Sequence, residues 1–495
     1  MTMKEKVIVI GSGFSSISAA CYLAQKGCHV KVFEKNNSLG GRARQLKRNG
    51  FTFDMGPSWY WMPDIFERFF NDFNKKPSDY YNLERLDPAY EVYFGTNDKF
   101  IVGGDLEKIS LAFESEEKGG GKKLKKFIKQ AQINYDIAIK ELVYKPGKSP
   151  LELITLDTIN KLNYFIRNIQ QDVYKDFKSP KLRQLLQFPV LFLGAKPKNT
   201  PAFYNFMNFA DYGLGTWHPE GGMYSVVKGM VSLAKSLGVE FYVDSPVKKI
   251  IVEKGKASGV IINRIKHRAD AILSGADYHH TETLLDLNLR VYSERYWDTK
   301  TFAPSSLLFY IGLNKKVNNI AHHTLFFDVD FDKHASEIYD SPKWPDDPLF
   351  YANFPSKSDS SMAPSDKEAC FILIPLAPGL DDTRDLRKKY FDIVIKRLEE
   401  RTGQLIKRHV LFEESFCVND FISDYNSYKG NAYGMANTLF QTAFLRPKLK
   451  SKKVKGLYFS GQLTVPGPGV PPALISGKIS AGLVENYFKK PNRQL

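Results

Sequence analysis

Gly11-Ser12-Gly13-Phe14-Ser15-Ser16 and, 21 residues beyond Gly13, Glu34 are residue types at a spacing that can hold a dinucleotide. Gly11 permits a tight turn and Gly13 lets the backbone approach a pyrophosphate. A helix opening here aims free N–H groups and its positive dipole end at that charge. Glu34 is placed to accept hydrogen bonds from ribose hydroxyls, and Ser16, in the position of a third glycine, is small enough for close helix–strand packing. A second glycine pair follows in Asn36-Asn37-Ser38-Leu39-Gly40-Gly41-Arg42-Ala43-Arg44, with basic side chains that a nicotinamide-binding turn does not need. Near the other end, Pro466-Gly467-Pro468-Gly469 joins fixed φ angles to glycine's freedom. Such a turn holds backbone groups in one place and suits a planar ligand.

The elements that must position these residues are legible around them. Val7-Ile8-Val9-Ile10 is a β-branched run of the kind a buried parallel strand needs, and residues 16–25 turn helical, with Ile17, Ala20, Cys21 and Ala24 on one face. A second strand over 28–33 delivers Glu34. After Pro219-Glu220-Gly221-Gly222-Met223 the pattern predicts a helix to 237, a strand over 238–243, a hairpin-like pair from 245 and a strand over 269–274 that returns to the sheet. A strand over 457–460 enters the Pro-Gly turn, and a helix over 473–487 leaves it with Ala473, Ser476, Gly477, Ser480, Ala481 and Gly482 as a small-residue face. Residues 122–208 read as mostly helical, and residues 188–209 at the end of this run carry Phe188, Phe192, Phe203, Tyr204, Phe206 and Phe209. Runs at 306–310, 325–327 and 371–374 read as strands of a second sheet.

A chain of 495 residues exceeds one ordinary core, so two or three domains are expected. The 36 Phe and 26 Tyr predict an aromatic interior or cleft. Cys21, Cys28, Cys370 and Cys417 have no metal-ligand spacing and read as reduced packing residues; no metal is expected. The net charge of +16 favours an anionic partner. Lysine clusters at 122–126, 448–455 and 489–490 are solvated faces or contacts for anionic phospholipid, and no nucleic-acid motif accompanies them. No uninterrupted apolar run is long enough to cross a bilayer, and Met1 to Lys6 lead straight into a strand, leaving no room for a signal peptide. The expected location is cytoplasmic, peripheral on a membrane.

Gly40-Gly41-Arg42 resembles the G-G-R motif of the large flavoprotein family that includes amine oxidases, GDP-dissociation inhibitors and carotenoid desaturases. Arg446-Pro447, then 456–471 with its Pro-Gly turn, and Ser476-Gly477-Lys478 look like the C-terminal signature of the bacterial-type carotenoid (phytoene) desaturases. Phe53-Asp54-Met55-Gly56-Pro57-Ser58, His322-His323-Thr324 and 355–364 match that family too, so the resemblance spans residues 6 to 488. It implies an α/β fold: a Rossmann-type FAD-binding domain, like that of GDP-dissociation inhibitors and amine oxidases, with an interleaved α+β substrate domain. The FAD-binding part would comprise residues 1–75, 219–285 and 426–495. The substrate part would comprise 76–218 and 286–425, with a largely helical, membrane-facing region near 115–210.

The same resemblance assigns FAD contacts to Gly11, Gly13, Phe14, Ser15 and Ser16 in the first turn and to Glu34 and Lys35 after the second strand. It adds Gly41 and Arg42 at the diphosphate, Val247 at the adenine, and Gly461, Gln462, Gly469 and Val470 about the C-terminal turn. There the helix N-terminus would favour the anionic reduced flavin. The implied reaction removes a hydride and a proton from adjacent saturated carbons of a long polyene, most directly phytoene toward lycopene, with flavin as hydride acceptor. Asp54, His322, His323 and Asp359 are nominated as proton acceptors on motif grounds. The chain departs from the family at Val465, where a His is expected, and at Gln462, where the wider superfamily has an acidic residue. A desaturase of a later or hydroxylated carotenoid is the near alternative. A non-catalytic prenyl- or lipid-binding protein of the same fold is the alternative from another class, and an amine-oxidising enzyme is a third.

Overall fold

The computed structural model describes residues 4–153, 167–191, 194, 196–438 and 440–489. Five short strands form one parallel sheet in the order Leu457–Phe459, Ala271–Ser274, Lys6–Ile10, His29–Phe33, Glu240–Tyr242. Alternation along these strands builds a layer on each face. Val7, Val9, Val30, Val32 and Leu273 pack on helices Phe14–Gln25, Met223–Ser236 and Val470–Lys489, whereas Ile8, Ile10, Phe33 and Ile272 pack on a small antiparallel sheet. That small sheet has three strands, Val247–Glu253, Lys256–Ile262 and Ile265–Arg268, where the sequence pattern suggests only a pair. A parallel sheet with its helices on one face and a nucleotide-type turn after the first strand is a Rossmann-type fold.

A second, mixed sheet of seven strands runs in the order Val410–Phe416, Ser305–Leu313, Glu368–Leu376, Phe350–Asn353, His323–Phe326, Tyr90–Gly95, Asp98–Val102. All its pairings are antiparallel except that of His323–Phe326 with Tyr90–Gly95. The expected strands at 306–310 and 371–374 extend in both directions, because both lie in the sheet interior and are paired on two sides. Leu307, Phe309 and Ile372 face the helix Arg384–Thr402. Leu308, Tyr310, Leu325 and Tyr351 face a helical layer that includes Gly120–Ile137 and Pro180–Leu191. The expected helical run over 122–208 is thus present in its described parts; residues 154–166, 192, 193 and 195 of that run, Phe192 among them, lie outside the described residues, as does Lys490. The four cysteines are free, three buried and Cys28 half-buried.

The first and last helices lie at backbone contact. A Cβ on Gly477 would strike the Ser15 carbonyl oxygen and come within 2.8 Å of Ser18 Cβ, whereas one on Gly482, in the same helix, meets nothing within 4 Å. Gly477→Ala is therefore expected to lower unfolding stability by about 1–3 kcal/mol through overpacking. Gly482→Ala should raise it by up to about 1 kcal/mol through helix propensity. Denaturation curves of the two variants beside the parent test this, and shifts of the same sign would overturn it.

Candidate functional site

The first turn has an open side. Gly11 sits at φ +85°, its N–H donating to the Phe33 carbonyl at 2.8 Å, and a Cβ on Gly13 would meet nothing within 4 Å. The helix that follows has no capping side chain and no acidic residue in its first turn, so its leading N–H groups and dipole end remain available to an anion. Phe14 and Ser15 line the space in front of it. Ser16 instead faces the sheet: a Cβ at Gly275 would run into its hydroxyl, the close packing anticipated for a small residue there.

Glu34 is buried and accepts from Ser12 N at 2.9 Å, Ser12 Oγ at 2.7 Å and Asn36 N at 2.9 Å. The carboxylate thus ties the glycine turn to the end of the second strand while facing the cavity. The Lys35 ammonium turns away from the glycine turn, to the Ser423 carbonyl and to Asn426 Oδ1 at 3.4 Å. Gly41 passes so close that a Cβ there would lie 3.2 Å from Gly13 Cα. Arg42 donates to Ser427 Oγ at 3.0 Å and to the Asn431 carbonyl at 3.3 Å, and the Gln462 amide oxygen, turned toward it, accepts at 3.1 Å. Its Nε is buried without a partner, and burial pulls the guanidinium pKa down against the opposing charge of Asp277. An unmet donor on a buried cation, beside an open glycine cradle, fits a polar, anionic cofactor such as FAD.

One cavity of about 810 Å³ runs from Gly11, Glu34 and Val247 past Arg42, Gly461 and Gln462. It continues into a corridor walled by Trp59, Phe188, Leu308, Leu325, Phe327 and Tyr351. Its rings abut: Trp59 lies 5.7 Å from Phe188 and 5.6 Å from Tyr351, centroid to centroid. Of the aromatics singled out in the sequence, Phe188, Phe203, Tyr204, Phe206 and Phe327 are in this wall, while Tyr310, Phe326 and Phe371 are core. Trp59, Trp61, Phe331, Tyr351 and Tyr433 also line it. No local pattern marks these five: Trp59 and Trp61 share the segment before the helix Pro63–Asn71, and Phe331, Tyr351 and Tyr433 come from three other parts of the chain.

The Pro-Gly turn closes the junction between the two ends. Gly467 and Gly469 sit at φ +136° and +116°, and Pro466, Pro468, Gly469 and Val470 line the cavity. The helix starts at Val470 rather than 473, so Pro471 and Pro472, which have no N–H, occupy its first turn. Ala473 N is already bonded to the Gly469 carbonyl at 3.0 Å, which narrows the expected fan of donors to Val470.

None of the four nominated proton acceptors is in the cavity wall. Asp54 accepts from Met223 N at 2.6 Å and Tyr224 N at 3.1 Å, capping the helix Met223–Ser236, and burial pushes its carboxyl up to about 6. Asp359 accepts from Gly221 N at 2.7 Å, Ser361 Oγ at 2.6 Å and His218 Nε2 at 3.1 Å. Burial alone would raise its pKa, but the bonds from His218, Ser361 and Gly221 hold it well below the ordinary carboxylate range. Two carboxylates far apart in sequence thus grip one turn, Gly221-Gly222, whose glycines lie at φ +77° and +82°. His322 and His323 are packed edge to face at 4.4 Å, His322 next to His218 at 4.7 Å. His218, absent from the sequence expectations, is signalled by no motif.

The family model described as flavin containing amine oxidoreductase matches residues 15–484. A carotenoid 3,4-desaturase from Haloarcula japonica is 42% identical over 97% of this chain and 98% of its own length. A zeta-carotene-forming phytoene desaturase from Myxococcus xanthus is 30% identical over 97% of this chain and 93% of its own. Among solved structures, an oxidoreductase from Methanosarcina mazei superposes with a TM-score of 0.63 at 17% identity, covering 97% of this chain and 100% of that one. Wild-type putrescine oxidase superposes at 0.60 with 13% identity, covering 98% and 99%. These two likenesses speak for the fold, and the two curated relatives speak for the family. The chain belongs to the flavin-containing amine oxidoreductase family and, within it, to the carotenoid desaturases, and it is an FAD-dependent oxidoreductase.

Proposed function

We propose that this protein desaturates a long carotenoid drawn from a membrane, with residues 1–75, 219–285 and 426–495 chiefly holding FAD and residues 76–218 and 286–425, joined by Trp59, Trp61 and Tyr433, holding the polyene. The observation that carries this is the single cavity that joins the glycine turns to an aromatic corridor. The Gly11–Ser16 turn and its helix hold the pyrophosphate, Glu34 takes the ribose hydroxyls, and the Val247 backbone borders the adenine. Gly41 and Arg42 would sit at the diphosphate, and Gly461, Gln462, Gly469 and Val470 would surround the ring system. FAD, when bound, supplies the two-electron acceptor for the hydride removed from carbon. The corridor excludes water, and the faces of Trp59 and Tyr351 stabilise positive charge on the allylic carbons once the hydride has left.

The identity of 42% to a protein named for 3,4-desaturation supports a later, already conjugated carotenoid as substrate. Phytoene, the substrate expected from the sequence motifs, is supported by the 30% relative named for it. Leu151, Phe440 and Leu445, exposed by 71%, 80% and 41%, belong to segments at the cavity wall, where Lys448 bridges to the Gly147 carbonyl at 2.7 Å. Apolar side chains among lysines suit an anionic bilayer, each lysine near the surface adding about 1 kcal/mol.

Three outcomes are expected. Gly13→Ala should fold and melt like the parent, since its Cβ meets no protein atom, yet weaken FAD binding about tenfold or more in a fluorescence titration; unchanged affinity would remove the cofactor from this turn. FAD-loaded protein mixed anaerobically with liposomes containing lycopene should bleach its flavin as longer polyene bands appear. Reaction with phytoene alone would restore the early substrate, and silence with both would sink the desaturase reading. The protein should pellet with anionic liposomes at low salt and be released as salt rises, and no pelleting at low salt would contradict membrane docking.

A further inference from the structure

Behind the corridor wall lies a buried polar chain that the roles assigned above leave unused. Ser58 and Tyr351 line the cavity, with Ser58 Oγ 2.9 Å from the Tyr351 hydroxyl. That hydroxyl lies 2.7 Å from His323 Nδ1. The direction of these bonds follows from Asn353. Its Nδ2 donates to the His322 carbonyl at 3.2 Å, which fixes the amide, and the same NH₂ group faces His323 Nδ1 at 3.2 Å. Nδ1 therefore bears a lone pair and the ring proton is on Nε2. Tyr351 must donate to Nδ1, and Ser58 must donate to the Tyr351 oxygen. Every hydrogen bond then points from the cavity toward the imidazole.

One neighbour favours a transient imidazolium. The indole of Trp59 lies flat on His323, at 4.0 Å between centroids and 11° between planes, and aromatic faces attract cations. His322, His218 and the Asp359 carboxylate continue the same cluster. Burial, reinforced by His218, holds His323 well below the ordinary histidine range, so it is neutral and able to accept a proton. An allylic carbocation is a far stronger acid than any imidazolium, so a weak base is enough. Gly56, two residues before Ser58, is where this segment meets the Arg42 turn: a Cβ there would lie 2.6 Å from the Arg42 carbonyl oxygen.

We propose that Ser58, Tyr351 and His323 form the proton relay of desaturation, a role that rests on the desaturase reading above. Once the hydride has been removed, for which bound FAD would be the two-electron acceptor, the C–H bond next to the cationic carbon breaks and its electron pair becomes the second bond of the new C=C. The proton moves to Ser58 Oγ as the Ser58 proton moves to Tyr351 and the Tyr351 proton to His323 Nδ1. The relay resets in reverse when product leaves and water reaches Ser58. Ser58 and Tyr351 are the catalytic groups, and His323 acts through them.

The test combines kinetics with a tautomer measurement on the full-length, FAD-loaded protein. Tyr351→Phe should slow carotenoid desaturation in liposomes about 100-fold, and Ser58→Ala by a comparable factor, with FAD affinity and melting temperature unchanged. The parent should show a solvent deuterium isotope effect that Tyr351→Phe loses. In ¹⁵N-histidine spectra His323 should carry its proton on Nε2, and its Nδ1 resonance should move in Tyr351→Phe. Rates within twofold of the parent for both variants, or a His323 protonated on Nδ1, would overturn the relay while leaving the desaturase intact. A parent silent toward every carotenoid overturns the desaturase reading and, with no carbocation to deprotonate, the relay's task with it.

Discussion

The closeness with which the first helix can be approached governs the rest of this protein. A Cβ on Gly41 would press on Gly13, one on Gly275 would enter the Ser16 hydroxyl, and one on Gly477 would strike the Ser15 carbonyl. Segments from both ends and the middle of the chain therefore meet around a single helical turn. Because interiors are close-packed, a methyl group at any of these points would separate elements that must touch. Small residues here serve geometry first. The face of Gly13 where a Cβ would stand is left free by protein atoms.

A second constraint fixes the Gly221-Gly222 turn. Asp359 is buried and Asp54 half-buried, with burial enough to raise its pKa, and a carboxylate so placed is tolerable only with hydrogen bonds in place of water. Backbone N–H groups of Gly221, Met223 and Tyr224 supply them. Three motifs distant in sequence are thus parts of one clamp. The clamp holds the start of the helix Met223–Ser236 against the strand Phe51–Asp54, which leads directly into the cavity residues Met55 to Trp59. Carboxylates that look like acid–base groups in the sequence act here as anchors for a wall.

The cavity changes character along its length. Near Glu34 and Arg42 it offers charge and backbone groups, and beyond Gln462 it offers aromatic faces. A cofactor with a polar tail and a planar head is matched by the first part, and an apolar chain by the second. Helix dipole, buried guanidinium and glycine cradle all lie on the side where charge must be held. The seven-stranded sheet turns its Leu308, Leu325 and Tyr351 face to the other side, so the plain alternation of a strand supplies the corridor.

The amino-acid sequence by itself determined the parallel strands, through β-branched runs of alternating burial, and the glycine turns, through spacing that only a nucleotide-type βα unit requires. It also determined the family, because the Gly40-Gly41-Arg42 and Pro466–Gly469 segments are local and keep their neighbours. Only the tertiary structure decided the cavity wall and the fate of the nominated acids. Trp59, Phe188, Leu325 and Tyr351 come from four separate elements, and His218 meets Asp359 across 141 residues. Periodicity reports which face of an element is buried, but not what stands opposite it. The third strand of the small sheet and the prolines inside the last helix's first turn follow the same rule: pairing partners and the direction of free N–H groups are set by contacts that no short stretch of chain contains.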